Sequence, residues 1–189
     1  MGIRIVTAAC LTMAALMSAD AAEVDIQALF SRAELDGRVG TARKTLPVDA
    51  RPAEPGAIVV SIIKGEGKET QSPPARAGDM VVRNRCEPDG NEEILVEAAK
   101  FKERYEGPLG DADAQGWRRY RPRGVEMRYF TLGAGEGPFS FVAPWGEPMT
   151  AKPGDAIVQD PGNPSDTYRI AAGAFACTYE VLEPAATSG

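Results

Sequence analysis

The chain contains no histidine, and this one absence removes several chemistries at once. A Ser-His-Asp triad, a His-ligated zinc and the usual histidine pH switch are all excluded. Cysteine is scarce, with Cys10, Cys86 and Cys177 the three present, and no Cys-x-x-Cys or Gly-x-Ser-x-Gly occurs. Positive charge is in deficit: 21 Lys and Arg stand against 27 Asp and Glu, a formal net charge of -6. A nucleic-acid backbone or an anionic membrane surface is therefore a poor partner, because both demand clustered cations. No apolar run approaches the roughly 20 residues that cross a bilayer. The remaining composition, 43% hydrophobic and 25% charged, is that of an ordinary globular protein.

The first residues read as a secretory signal. Arg4 supplies the positive start, Ile5 to Met17 the apolar region, and Ala19-Asp20-Ala21 the small-x-small cleavage pattern. Residues 1–21 are thus expected to be removed, leaving a periplasmic or secreted protein. Its two remaining cysteines, Cys86 and Cys177, then face an oxidising compartment. Either they are bonded, or Cys177 is a small buried side chain and Cys86 a free thiol.

After the signal, Ile26, Leu29, Phe30 and Ala33 follow the spacing of one apolar helix face, with Asp25 placed to cap the start. Gly37 and Gly40 end this helix, and Thr41 to Pro47 reads as a linker or the entry to the next module. Residues 22–43 form this helical lead-in.

The rest carries an internal repeat. Ala75-Arg76-Ala77-Gly78-Asp79-Met80-Val81-Val82 matches Ala151-Lys152-Pro153-Gly154-Asp155-Ala156-Ile157-Val158. Phe101, Tyr105 and Glu106 match Phe175, Tyr179 and Glu180, and Val48-Asp49-Ala50-Arg51 matches Val125-Glu126-Met127-Arg128. The reading is two tandem modules, 44–110 and 115–184, joined by a Gly- and Asp-rich linker. Short β-like runs at Ile58–Lys64, Met80–Arg83, Glu93–Val96, Phe139–Ala143, Ala156–Gln159 and Thr167–Ile170 make the fold mainly β, as small barrel or sandwich modules with short helices. Ala98–Tyr105 is compatible with one or two helical turns. Phe101, Tyr105, Phe175 and Tyr179 are expected to be largely buried. The acidic loop Glu87–Glu93 is expected to be a solvated turn.

Candidate ligand-binding residues are few. Trp117, Arg118, Arg119, Tyr120, Arg121 and Arg123 form a basic aromatic cluster in an acidic chain, suited to gripping a carboxylate or phosphate. Its alternative is the packing of one module's start on the other. Asp79 and Asp155, in the repeated Gly-Asp turns, are either ligand contacts or turn locks. Gly133–Gly137 has no Lys-Ser/Thr pair after it and reads as a hairpin turn. Asp111, Asp113 and Gln115 begin like a calcium loop, but Pro122 stands where its bidentate Glu belongs. No metal, cofactor or catalytic residue is assigned.

The stretch from Ala151-Lys152-Pro153-Gly154-Asp155 through Tyr168-Arg169-Ile170 to Phe175-Ala176-Cys177-Thr178-Tyr179-Glu180 resembles the PGDYG family of small bacterial and phage-associated modules. The resemblance covers about residues 120–182, and more weakly 44–106. Ala156-Ile157 and Met80-Val81 replace the Tyr-Gly of the namesake motif. The resemblance implies no activity or cofactor. The reading is a non-enzymatic binding protein for a small anionic ligand, an envelope component or another protein. Its alternatives are an envelope-glycan hydrolase using acidic residues and an exported immunity or inhibitor protein.

Overall fold

The computed structural model describes residues 23–186; the expected signal, residues 1–21, lies outside them. The chain opens with helix α1 (Ile26–Leu35), then β1 (Gly40–Lys44), β2 (Val48–Pro52), β3 (Val60–Ile63), β4 (Gly67–Gln71) and β5 (Met80–Asn84). A short 3-10 turn (Glu87–Asp89) leads to β6 (Glu93–Val96), α2 (Ala98–Arg104) and β7 (Tyr105–Glu106). The second stretch holds β8 (Arg118–Pro122), β9 (Glu126–Thr131), β10 (Phe139–Val142), β11 (Pro148–Ala151), β12 (Ala156–Asp160), β13 (Asn163–Ile170), α3 (Ala172–Thr178) and β14 (Tyr179–Glu183). The protein is mainly β with three short helices, as the alternating runs indicate. The sheets stay open, and none closes into a barrel.

Two five-stranded sheets carry the fold, in the orders β6-β5-β2-β8-β7 and β13-β12-β9-β1-β14. The fourth strand of each comes from the other stretch of chain. β8, which follows the linker, lies between β2 and β7. β1, which precedes β2, lies between β9 and β14. Thr41–Pro47, expected as a linker or the entry to the next module, is thus largely a strand, and Ala42 at the centre of β1 is fully buried. The two-stranded hairpins β3-β4 and β10-β11 stand beside the sheets and touch through Thr70, whose hydroxyl donates to the Pro148 carbonyl at 3.1 Å.

Alternation sorts each strand's side chains onto two faces. In the first sheet Val48, Ala50 and Val82 join Phe101 and Tyr105 in one cluster. The other face carries Val81 and Trp117. In the second sheet Ala42, Met127, Tyr129 and Val158 form the corresponding cluster, with Phe175 and Tyr179 packed at its edge. Phe101 and Tyr105 are buried as expected. Phe175 and Tyr179 are half-buried instead, because α3 and β14 form the outer margin of their sheet.

Helix α1 covers the opposite face of the second sheet. Asp25 caps it by accepting from the Gln27 and Ala28 amides at 3.0 Å. Phe30 meets Phe130 edge to face at 5.6 Å, and Arg128 lies over the Phe30 ring at 5.3 Å. On the first sheet the linker residue Trp117 takes the corresponding place, between Arg51 at 4.8 Å and Arg83 at 4.3 Å.

Cys86, just before the 3-10 turn, and Cys177 in α3 lie at disulfide-bonding distance, with Cα atoms 6.1 Å apart. They are 91 residues apart, so the link joins the two stretches of chain. Loop-closure entropy for that separation favours the folded state by roughly 4–5 kcal/mol. The processed, unreduced chain should therefore show no titratable thiol after unfolding in denaturant; two thiols would rule the link out.

Candidate binding site between the sheets

The repeated Gly-Asp turns come first, because they set the geometry around them. Gly78 and Gly154 have φ of 91° and 89°, the left-handed value that a type II turn needs at its third residue. Asp79 and Asp155 are both buried and make the same bonds. Asp79 accepts from the Arg76 amide at 2.8 Å and the Ala98 amide at 3.0 Å. Asp155 accepts from the Lys152 amide at 2.8 Å and the Ala172 amide at 3.1 Å. Each carboxylate thereby locks its turn and tethers the following helix, α2 or α3.

The basic aromatic cluster is divided by its own strand. Trp117 and Arg119 line an open groove of about 820 Å³ with Arg83, Arg85 and Asp49. Tyr120, on the opposite face of β8, packs edge to face on Phe101 at 4.9 Å. Arg121 pairs with Glu106, and Arg123 donates to the Lys102 and Tyr105 carbonyls at 3.2 Å. Arg118 is exposed. Alternation scatters these residues instead of gathering them on one surface. The groove is also rich in acid, with Asp49 paired to both Arg83 and Arg85.

The more enclosed space is a cavity of about 620 Å³ bordered by both sheets. Its apolar walls include Ile94 and Val96 from the first sheet and Met127 and Ile170 from the second. Along it runs a chain of polar contacts that the sequence did not announce. The Lys44 ammonium donates to Asn84 Oδ1 at 2.5 Å, and Asn84 Nδ2 donates to Glu92 at 3.2 Å. The Glu92 carboxylate adjoins that of Glu69. Arg169 then bonds Glu69 at 2.5 Å, Asp155 at 2.7 Å and Glu66 at 2.9 Å, and Lys152 also holds Glu66 at 2.9 Å. The acidic loop is not a solvated turn, since Asp89 and Glu92 are inside. Residues on either side of the loop are strand-paired and linked to α3, which draws these carboxylates inward.

Burial, then the adjoining Glu92 carboxylate, push the Glu69 carboxyl up from 4.5 to about 9. The Glu69 carboxyl therefore holds its proton at neutral pH. A raised carboxyl pKa makes the folded state the stronger proton binder. The contribution of Glu69 to stability is full below pH 4.5 and is lost as pH rises toward about 9, by about 1.4 kcal/mol per unit for one proton. Glu69→Gln imitates the protonated acid. The variant should match the parent at pH 4 and exceed it in urea midpoint at pH 8, with a flatter pH dependence between.

At the other side of the cavity Arg104 donates to Asp166 at 2.7 Å, to Asp160 at 3.4 Å and to the Tyr168 hydroxyl at 3.3 Å. Lys100 holds Asp166 as well, at 2.9 Å. The Tyr179 hydroxyl adjoins that of Tyr168, and burial pushes its pKa well up. Among the described residues, no three His, Cys, Asp or Glu side chains are placed to hold a metal ion, and no helix is long and apolar enough to cross a membrane.

Sequence reasoning missed Lys44, Glu69, Glu92, Arg104 and Arg169. Each is a common surface residue type, and only the pairing of distant strands brings them together. Compared with protein-family models, curated proteins and solved structures, the chain matches none of them.

Proposed function

We propose that this chain is an exported, non-enzymatic binding protein, arising by tandem duplication of a PGDYG-like unit, and that it holds a small ligand between its two sheets. The observation that carries this reading is the cavity of about 620 Å³ whose walls come from both stretches of chain. Its size is within the range of small-molecule sites, and apolar walls with a few convergent polar groups are their usual composition. Exchange of β1 and β8 fixes the two walls against each other, so the site is ready before a ligand arrives. The cysteine pair across the halves fits an oxidising compartment.

The test is a thermal-shift screen of small organic compounds on the processed chain and on Val125→Trp, which places a large ring into the cavity lining. A ligand of the folded state raises the parent's midpoint and should leave that of Val125→Trp unmoved. Equal shifts in both proteins would move the site elsewhere. Export is tested separately: periplasmic protein should begin at Ala22 or Glu23, and an intact Met1 in the soluble cytoplasmic fraction would end that part of the reading.

A further inference from the structure

We infer that the cavity's ligand is an amphipathic monocarboxylate, its carboxylate held by Lys44 beside Arg104 and its apolar body lying between the two sheets. The inference rests on the cavity being the ligand site and names what enters it.

Charge matching carries the argument. Among the described residues, the half-buried Lys44 ammonium has no carboxylate within ion-pair distance; its one hydrogen-bond partner is the neutral Asn84 amide. A half-buried lysine without a counter-ion attracts an anion, and an anionic ligand supplies what the protein omits. The carboxylates around it are committed elsewhere. Asp166 is shared by Lys100 and Arg104, Asp160 lies against Arg104, and Glu69 is bound by Arg169. Glu92 is engaged by Asn84 and Glu69. Glu97, at the rim, is exposed to water.

Neutral donors surround the same spot. Lys44 is directly across β1 and β14 from Tyr179, and its Nζ sits 6.0 Å from the centre of the Tyr105 ring. Tyr168 and Arg104 adjoin Tyr179. The Arg104 Nε is buried and makes no hydrogen bond among the described residues. One uncompensated cation suits a single negative charge; a dianion such as phosphate would bring a second charge with no partner. The walls next to these groups are apolar: Ile94 and Val96 on one side, Val125, Met127 and Ile170 on the other. They suit a hydrocarbon chain or ring attached to the carboxylate.

Titration calorimetry on the processed, full-length chain with octanoate, butyrate, octanol and octylamine tests this. Octanoate should bind at least ten-fold more tightly than each of the other three. Lys44→Met should weaken octanoate at least ten-fold and leave octanol unchanged, which also shows that the variant's cavity is intact; Lys44→Arg should restore octanoate. Octanol or octylamine binding as tightly as octanoate, or an unaffected Lys44→Met, would overturn the carboxylate and leave the cavity as a site for another class. Butyrate equal to octanoate would overturn the apolar body. Binding by none of the four would overturn the cavity reading together with this inference.

Discussion

Cut within Gly110–Gln115 and freed of the Cys86–Cys177 link by Cys→Ala substitution at both positions, the chain should remain one particle. That linker is exposed and leaves the last strand of one stretch for the first strand of the next. Its cleavage would separate two autonomous modules. Here each fragment owns a strand inside the other's sheet. The first supplies β1 between β9 and β14, and the second supplies β8 between β2 and β7. Leaving would strip backbone hydrogen bonds from both sides of each exchanged strand and expose Ala42, Met127 and Tyr129 together. The ion pairs from Arg104 to Asp166 and from Arg169 to Glu66 and Glu69 also cross the cut. Size-exclusion chromatography of the nicked protein should give one peak at the intact size, dividing only in denaturant. Two half-sized species in plain buffer would refute reciprocal exchange.

Arg169→Met should be the most damaging single substitution in the polar interior, costing about 3–5 kcal/mol and roughly 10 °C in melting temperature. The Arg169 side chain is 1% exposed and serves three carboxylates. Removing it leaves Asp155, at 3% exposure, without its cation and Glu66 with Lys152 alone. Methionine keeps most of the volume, so packing loss is minor and the cost reports the stranded charges. The fold itself does not demand a cation there. Leu95 faces Val81 in the first sheet just as Arg169 faces Ile157 in the second. At neutral pH the penalty should be nearly the same with Glu69→Gln present, because the Glu69 carboxyl already holds its proton there. A double-mutant cycle in urea measures that coupling; a penalty much reduced by Glu69→Gln would show that Glu69 is charged beside Arg169.

Local sequence determined the elements wherever local pattern and final environment agree. Ile26, Phe30 and Ala33 announced α1, and Asp25 its cap, because an amphipathic face and a capping carboxylate act within one turn of helix. The β-branched runs announced β3, β5, β6 and β12, and the Gly-Asp pairs announced the two turns, since positive φ and a short acceptor are needed there in any context. The sequence also placed Cys86 and Cys177 at unlike points of the repeat, so a bond between them had to cross it.

Tertiary structure alone decided which strands pair. β1 reads Gly-Thr-Ala-Arg-Lys and β8 reads Arg-Arg-Tyr-Arg-Pro, neither with the apolar alternation of a half-buried strand. Their long polar side chains reach past the sheet while the backbone sits between two partners, so their hydrogen bonds, not their hydrophobicity, fix them in place. The same holds for the site. Lys44, Glu69, Glu92 and Arg169 look like surface charges because burial is a property of the assembled sheets, and nothing within a few residues of each one encodes it. Once β1 crosses to the second sheet, Lys44 is carried to Tyr179, and a cavity forms where two unremarkable stretches of chain complete each other.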